Sequence, residues 1–380
     1  MFGSEKIRGV VWQVLLLSAV VAGGWYLFNN TQENLARSNI QVGFGFLGRE
    51  AGFEIAESVI EFDATHTYAR AFLVGIGNTL YVALIGIVLA TILGTVVGIA
   101  RQSQNWLVRK LASSYVEVMR NVPLLLQLLV WYVFLTELLP GVRQAIDFGG
   151  LVFLSQRGLR YAWPVWHPAY LYAGVAFVVG VAAFAFYRAY ARRRQEATGA
   201  QLPLGWPALA LILGLPVIAW LAGGAPTELE IPKLAGFDMR GGRNVSPEFT
   251  ALLIGLTTYT AAFIAEVVRG GILAVDKGQT EAAEALGLES GQRLRLVTLP
   301  QALRVIIPPM TSQYLNLTKN SSLAVAIGYP DLVSVANTSM NQTGQAIEAI
   351  AILMAVYLVI SLTIALVMNI YNSRVRLVER

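Results

Sequence analysis

The residues of this chain able to do chemistry are those placed where water is scarce. Glu117, Arg120, Glu266, Arg269, Asn316, Lys319 and Asn320 all stand within or at the ends of long apolar stretches. A charge or an amide in hydrocarbon costs kcal/mol unless it is paired or faces water, so an ionisable residue there is by default a functional hypothesis. Glu117 and Arg120 are three apart and share one helix face. Two readings stand for them: they line a polar path across a membrane, or they snorkel and lock a helix bundle together. Glu266 and Arg269 have the same spacing at the end of their apolar stretch, where a pair that holds structure is the better reading. Thr311-Ser312-Gln313, Asn316 and the run Thr318 to Ser322 crowd polar groups into one segment. Small hydroxyls alone serve helix packing. Asn316, Lys319 and Asn320 together point to a path.

Other chemistries are set aside by what the chain lacks. It has no cysteine, hence no disulfide and no thiolate metal site, and His66 and His167 read as loop histidines without companion ligands. It has no G-x-x-x-x-G-K-[ST] phosphate loop, so any ATP chemistry belongs to another polypeptide. The net charge of +5 does not indicate nucleic acid, because the basic residues gather at the ends of apolar segments, where topology explains them.

The elements that must position these residues follow from composition. A chain that is 56% hydrophobic and 13% charged is too apolar to present a water-compatible surface, and is expected to be an all-α integral membrane protein. Stretches long enough for a hydrocarbon core of about 30 Å fall at 10–28, 72–100, 111–139, 169–189, 204–223, 250–270 and 346–370. The first has the charge pattern of a signal peptide, but its apolar run is too long and no clear cleavage site follows, so an uncleaved span is expected.

Charge placement predicts an eighth span over 305–328, polar though it is. With eight crossings and a cytoplasmic N-terminus, the inner loops collect Arg101, Arg109, Lys110, Arg192, Arg193, Arg194, Arg293, Arg295, Arg374 and Arg376. The outer connections, 29–71, 140–168, 224–249 and 329–345, are longer and more sparsely basic. Without the polar span the basic C-terminus would lie outside, so both termini are expected in the cytoplasm. Pro308-Pro309 are expected in the first turn of that span, where their missing N–H groups lack partners anyway. The chain then divides into an N-terminal span and outer loop (1–71), spans two and three (72–139), added loops with spans four and five (140–249), and the last three spans (250–380). No repeat and no inverted hydropathy symmetry is visible.

Between spans six and seven, within 276–300, lies Glu281-Ala282-Ala283-Glu284-Ala285-Leu286-Gly287, followed after nine residues by Val297-Thr298-Leu299-Pro300. The pattern predicts two short helices around Gly287. Asp276 or Thr280 caps the first, the alanines favour helix, and Gly287 takes the left-handed conformation that ends it. Ser290 caps a second, basic helix, and Pro300 marks the return to the membrane. Such a knob, rigidly joined to two spans, can carry a rigid-body push from a partner into the membrane.

This pattern resembles the EAA loop of ABC importer permeases: EAA, three residues, Gly, nine residues, an aliphatic, one residue, Leu-Pro, with Val297 in place of the usual Ile. Together with Gly77 to Leu80, Tyr115 to Gln127, Thr258 to Ile272 and Ser312 to Val335, it makes the chain similar to membrane subunits of polar amino acid ABC importers. The long permeases of the general L-amino acid transporters of Gram-negative bacteria are the subgroup it resembles. Residues 72–139 and 250–372 match the family's five-span core, and 140–249 suits only the long subgroup.

The resemblance implies a multi-pass protein of the bacterial inner membrane that moves L-amino acids and is not itself an enzyme. It implies a second permease subunit, usually a paralogue, two cytoplasmic ATPases that bind ATP and Mg, a periplasmic binding protein, and no cofactor in this chain. Glu281, Ala282, Ala283, Gly287, Leu299 and Pro300 would dock on the ATPase. A zwitterion needs a cation or N–H donors for its carboxylate and an acceptor for its ammonium. Glu117, Arg120, Glu266, Asn316, Lys319 and Asn320 are the candidates. The rival of a different class is an ion-coupled secondary carrier with Glu117 and Glu266 as proton sites.

Overall fold

The computed structural model of the protein describes residues 5–37 and 43–375, and its chain separates into two compact units, Met1–Phe134 with Glu248–Arg380 and Leu135–Pro247. In the first unit α1 (Glu5–Arg37) is an apolar helix on which Trp12, Leu16 and Trp25 are among the exposed side chains. A helix that is apolar on all sides belongs in lipid or against another apolar surface. α2 (Tyr68–Ala100) starts at Thr67, whose hydroxyl accepts the Arg70 N–H at 3.4 Å. α3 (Trp106–Asn121) and α4 (Leu124–Val133) follow, then α8 (Pro247–Leu273), α9 (Lys277–Ala285), α10 (Ser290–Arg293), α11 (Leu299–Asn320), α12 (Leu332–Thr343) and α13 (Ala346–Val375).

Among the described residues six helices are long and apolar enough to cross a membrane, and α3 with the helical stretch Leu124–Leu138, bent by 103°, makes a seventh when the pair is taken as one span. The third span is therefore broken rather than the single helix expected over 111–139. Pro123 has no N–H to offer the helix, and it holds Val122 in extended backbone, φ −95° and ψ 127°. The carbonyls freed at the break are taken by one side chain: Gln127 Nε2 donates to Met119 O at 3.0 Å and to Val122 O at 2.9 Å.

α11 is the polar segment. It has 22 residues, about 33 Å at the helical rise, enough to cross the hydrocarbon core. It begins at Leu299 with Pro300 in its first turn, so Pro308 and Pro309 lie inside the helix and not at its start as expected. The helix follows directly on a π turn at Leu294–Thr298 and continues through both prolines. A 3₁₀ turn, Ser321–Ile327, then leads to α12.

The first unit is knitted together where α2 meets its neighbours. At one end Phe46, Tyr68, Phe72, Leu332 and Val335 form a buried apolar cluster. At the other, Gly94 and Gly98 let α2 lie on the backbone of α8: a methyl on Gly94 would stand 2.6 Å from Ile264 Cβ, and one on Gly98 would stand 2.8 Å from Ala265 O. Small residues four apart are the usual means of bringing two membrane helices into backbone contact.

The second unit, taken alone, contains β structure that the all-α expectation did not include. β1 (Ile146–Phe148), β2 (Val152–Ser155), β3 (Gly158–Tyr161) and β8 (Arg243–Val245) form an antiparallel sheet in that order. β4 (Trp163–Pro164) pairs with β5 (Leu229–Glu230), and β6 (Lys233–Ala235) with β7 (Asp238–Arg240). Strands of two to four residues leave no hydropathy signal. Between them α5 (Pro168–Thr198) packs against α7 (Leu215–Ala222) and the π turn at Ala210–Gly214 that joins α7 to the short α6 (Gly205–Leu209).

Candidate functional site

The loop between α8 and α11 is built from its caps outward. Asp276 Oδ1 accepts the Gly278 N–H at 2.6 Å and starts α9. α9 ends in a Schellman arrangement: Gly287 N donates to Glu284 O at 2.9 Å, Leu288 N donates to Ala283 O at 3.1 Å, and Gly287 has φ +75°. α10 begins at Ser290 itself, so Ser290 is a helical residue and not the expected cap, and Glu289 stands before it with its carbonyl accepting Arg293 N at 2.8 Å. The two helices are tied by an Arg293–Glu284 ion pair, and Gln301 Nε2 on α11 donates to Gln279 Oε1 at 3.2 Å. The result is a compact knob.

Its stems are in contact. A methyl on Gly271, near the end of α8, would fall inside the van der Waals surface of Ile306 Cγ1 and 3.3 Å from Ala302 O, both on α11. Of the loop residues singled out by sequence, Ala283 is buried, whereas Glu281, Ala282, Gly287, Leu299 and Pro300 are exposed. Leu286 is 82% exposed and Leu296 62%. An apolar surface of this kind on a polar protrusion marks a contact with another protein.

Of the charges within the spans, Glu266 and Arg269 pair as their spacing suggested, and Glu117 and Arg120 do not. Arg120 turns to α8, with Nη1 3.9 Å from Glu266 Oε2 and its guanidinium 5.1 Å from the centre of the Phe263 ring. Glu117 remains exposed on α3. Glu266 also binds Arg101, at the end of α2, and accepts from Arg269 Nε at 3.2 Å, so the Glu266–Arg269 pair is part of a larger cluster. On α11 the exposed residues Ser312, Asn316 and Lys319 recur at helical spacing along one face, with Asn320 half-buried beside them. Asn316 and Lys319 thus share one face of α11, while Glu266 belongs to the cluster on α8.

Two further polar groups carry more of the architecture than sequence reasoning allotted them. Asn78 Nδ2 donates to Glu57 O and Pro330 O, both at 2.8 Å, and its Oδ1 accepts Val59 N at 3.1 Å. Beside it Asp331 is fully buried, Oδ1 accepts Ser334 N at 2.8 Å to start α12, and burial pushes its carboxyl up to about 7. An Asn-Thr pair inside an apolar helix was the available signal, but its partners are far away in sequence.

The protein family described as binding-protein-dependent transport system inner membrane component matches residues 86–377. The chain belongs to this family. It is accordingly the membrane-embedded permease of a binding-protein-dependent, ATP-driven transport system, whose other parts include a binding protein and an ATPase. The general L-amino acid transport system permease protein AapQ of Rhizobium johnstonii is 48% identical over 99% of this chain and 94% of its own length. The putative amino-acid ABC transporter permease protein YhdX of Escherichia coli is 50% identical over 100% and 97%. The glutamate/glutamine/aspartate/asparagine transport system permease protein BztB of Rhodobacter capsulatus is 42% identical over 99% and 95%. The inner membrane component described here thus matches these relatives along essentially their whole length, the second unit included.

Proposed function

We propose that this permease subunit imports L-amino acids, driven through the knob between α8 and α11 by a separate ATPase that holds the ATP and Mg. The reading is carried by one observation: the knob is internally tied, its stems touch at Gly271 and Ile306, and its exposed tip is apolar. A push on such a body moves α8 and α11 together. Glu281, Ala282, Gly287, Leu299 and Pro300 make the contact, with Leu286 as the apolar residue that buries against the ATPase. The knob is cytoplasmic, as are both termini, and a paralogous second subunit completes the path with the exposed face of α11. That all the relatives described above are named as amino acid permeases supports the substrate class.

On this path Lys319 meets the carboxylate of the zwitterion, with Asn316 and Asn320 as hydrogen-bond partners, and Glu117 is the acceptor available for the ammonium. In the test, Gly287→Leu leaves the permease in the membrane and abolishes ATP-driven uptake, since a side chain in left-handed backbone costs about 1–2 kcal/mol and lies at the docking surface. Lys319→Met leaves assembly intact and lowers uptake tenfold or more, about 1.4 kcal/mol in a barrier. Normal uptake by Gly287→Leu with a full complement of bound ATPase would overturn the proposal. Uptake that persists without ATP and collapses with the proton gradient would favour the ion-coupled carrier.

A further inference from the structure

One carboxylate on α8 answers three guanidiniums from three helices. Glu266 takes Arg269 from its own helix, Arg101 from the end of α2 and, at 3.9 Å, Arg120 from the last turn of α3. Neutralising that carboxylate would leave three cations side by side in a half-buried place, which is a large cost even after screening. The cluster therefore fixes where these helices sit relative to one another.

The three are not held equally. α2 is already fastened to α8 by backbone contact at Gly94 and Gly98, and needs no ion pair to follow it. α3 lies on α8 through the buried cluster of Val116, Ala262 and Ala265, and Tyr115 Oη donates to Thr258 O at 2.6 Å, but these contacts lie before its last turn, which ends one residue ahead of the break at Val122–Pro123. Its broken end is gripped through Arg120, whose guanidinium lies between the Glu266 carboxylate and the Phe263 ring, residues one turn apart on the same face of α8. Glu266 is itself two turns from the end of α8, on the helix that leads into the knob.

We infer that Glu266 and Phe263 form a clamp on Arg120 that makes the broken end of α3 travel with α8 when the knob moves. Glu266 and Arg120 are thus positioning residues rather than substrate ligands. The inference rests on the proposed movement of the knob, and it assigns the ion cluster a task in that movement: the path along α3 changes shape in step with the stem that receives the push.

The test uses the assembled transporter with its ATPase and binding protein in lipid nanodiscs. The chain has no cysteine, so Val118→Cys and Leu273→Cys place one spin label on exposed α3 and one at the end of α8. In the parent the distance between these labels is the same with and without trapped nucleotide. In Glu266→Gln, and more mildly in Phe263→Leu, it changes on the order of 5 Å between the two states, and substrate transported per ATP falls at least tenfold. Arg120→Lys, which keeps the charge but not the planar stack, falls between. If α3 still follows α8 in both clamp variants, or if only thermal stability falls while transport per ATP is kept, the clamp is wrong. A label at Leu273 read against the second permease subunit separates the two levels: no nucleotide-dependent movement there, in the parent itself, overturns the proposed stroke of the knob. Phe263→Leu removes no charge and keeps the test open where Glu266→Gln fails to assemble.

Discussion

Gly270 and Gly271 are neighbours in sequence and opposites in space, and the pair makes a sharp test of the coupling stem. A methyl on Gly270 meets nothing within 4 Å, whereas one on Gly271 overlaps Ile306 Cγ1 and approaches Ala302 O to 3.3 Å. Both substitutions to alanine gain about 1 kcal/mol of helix propensity. Only Gly271→Ala adds volume to a filled contact, which costs about 1–3 kcal/mol, because Ile306 is β-branched and its Cγ1 sits close to the backbone with little freedom to move. The expected result is a small stabilisation for Gly270→Ala and a net change of about 0–2 kcal/mol in the other direction for Gly271→Ala. Thermal unfolding of the purified permease reads the stability, and ATP-driven uptake in proteoliposomes reads the function. Uptake should fall for Gly271→Ala only. Ile306→Ala opens room for the methyl, so the double variant should be more stable than the two single changes predict, by an interaction of about 0.5–3 kcal/mol. Equal effects of Gly270→Ala and Gly271→Ala on stability, or no interaction with Ile306→Ala, would show that α8 and α11 do not touch there and that the knob has no rigid stem.

Two other outcomes follow from the polar groups that hold the breaks and ends of the spans. Gln127→Leu strands the carbonyls of Met119 and Val122, at about 1–3 kcal/mol each, and should lower the unfolding temperature clearly more than Leu126→Ala on the exposed side of α4. Equal effects would mean that the break is not capped by this side chain. Asp331→Asn tests the buried carboxyl, whose folded value near 7 lies above the ordinary value of 3.8. Because folding favours the protonated form, its stability contribution is complete below about pH 4 and is lost as pH rises through 7. Asn keeps the acceptor for Ser334 N and cannot ionise, so the variant should match the parent below about pH 4 and be the more stable protein at pH 8, by roughly 4 kcal/mol at most. A variant less stable than the parent at pH 8 would refute the burial reading.

What the sequence determined is what depends on residues near one another along the chain. Hydropathy marked the apolar spans, and charge parity predicted a crossing for the polar segment that forms α11, which a window average does not see because its apolar residues share its length with Asn316, Lys319 and Ser312. The left-handed turn at Gly287 was legible because the alanine run, the glycine and the following leucine all lie within one Schellman motif. The third span was expected as one helix over 111–139 and Pro123 breaks it, whereas Pro308-Pro309 were expected at a helix start and lie inside one: a proline shows which donor is missing and not whether the helix tolerates the loss. The two- to four-residue strands of the second unit are too short to carry a period of two. Tertiary structure alone decided which glycine of a pair meets a neighbouring helix, that Arg120 leaves Glu117 for Glu266, and that Asn78 reaches Glu57 and Pro330. Each of these is a choice among partners far apart in sequence, and only the packed helices fix the distances that make one of them the strongest.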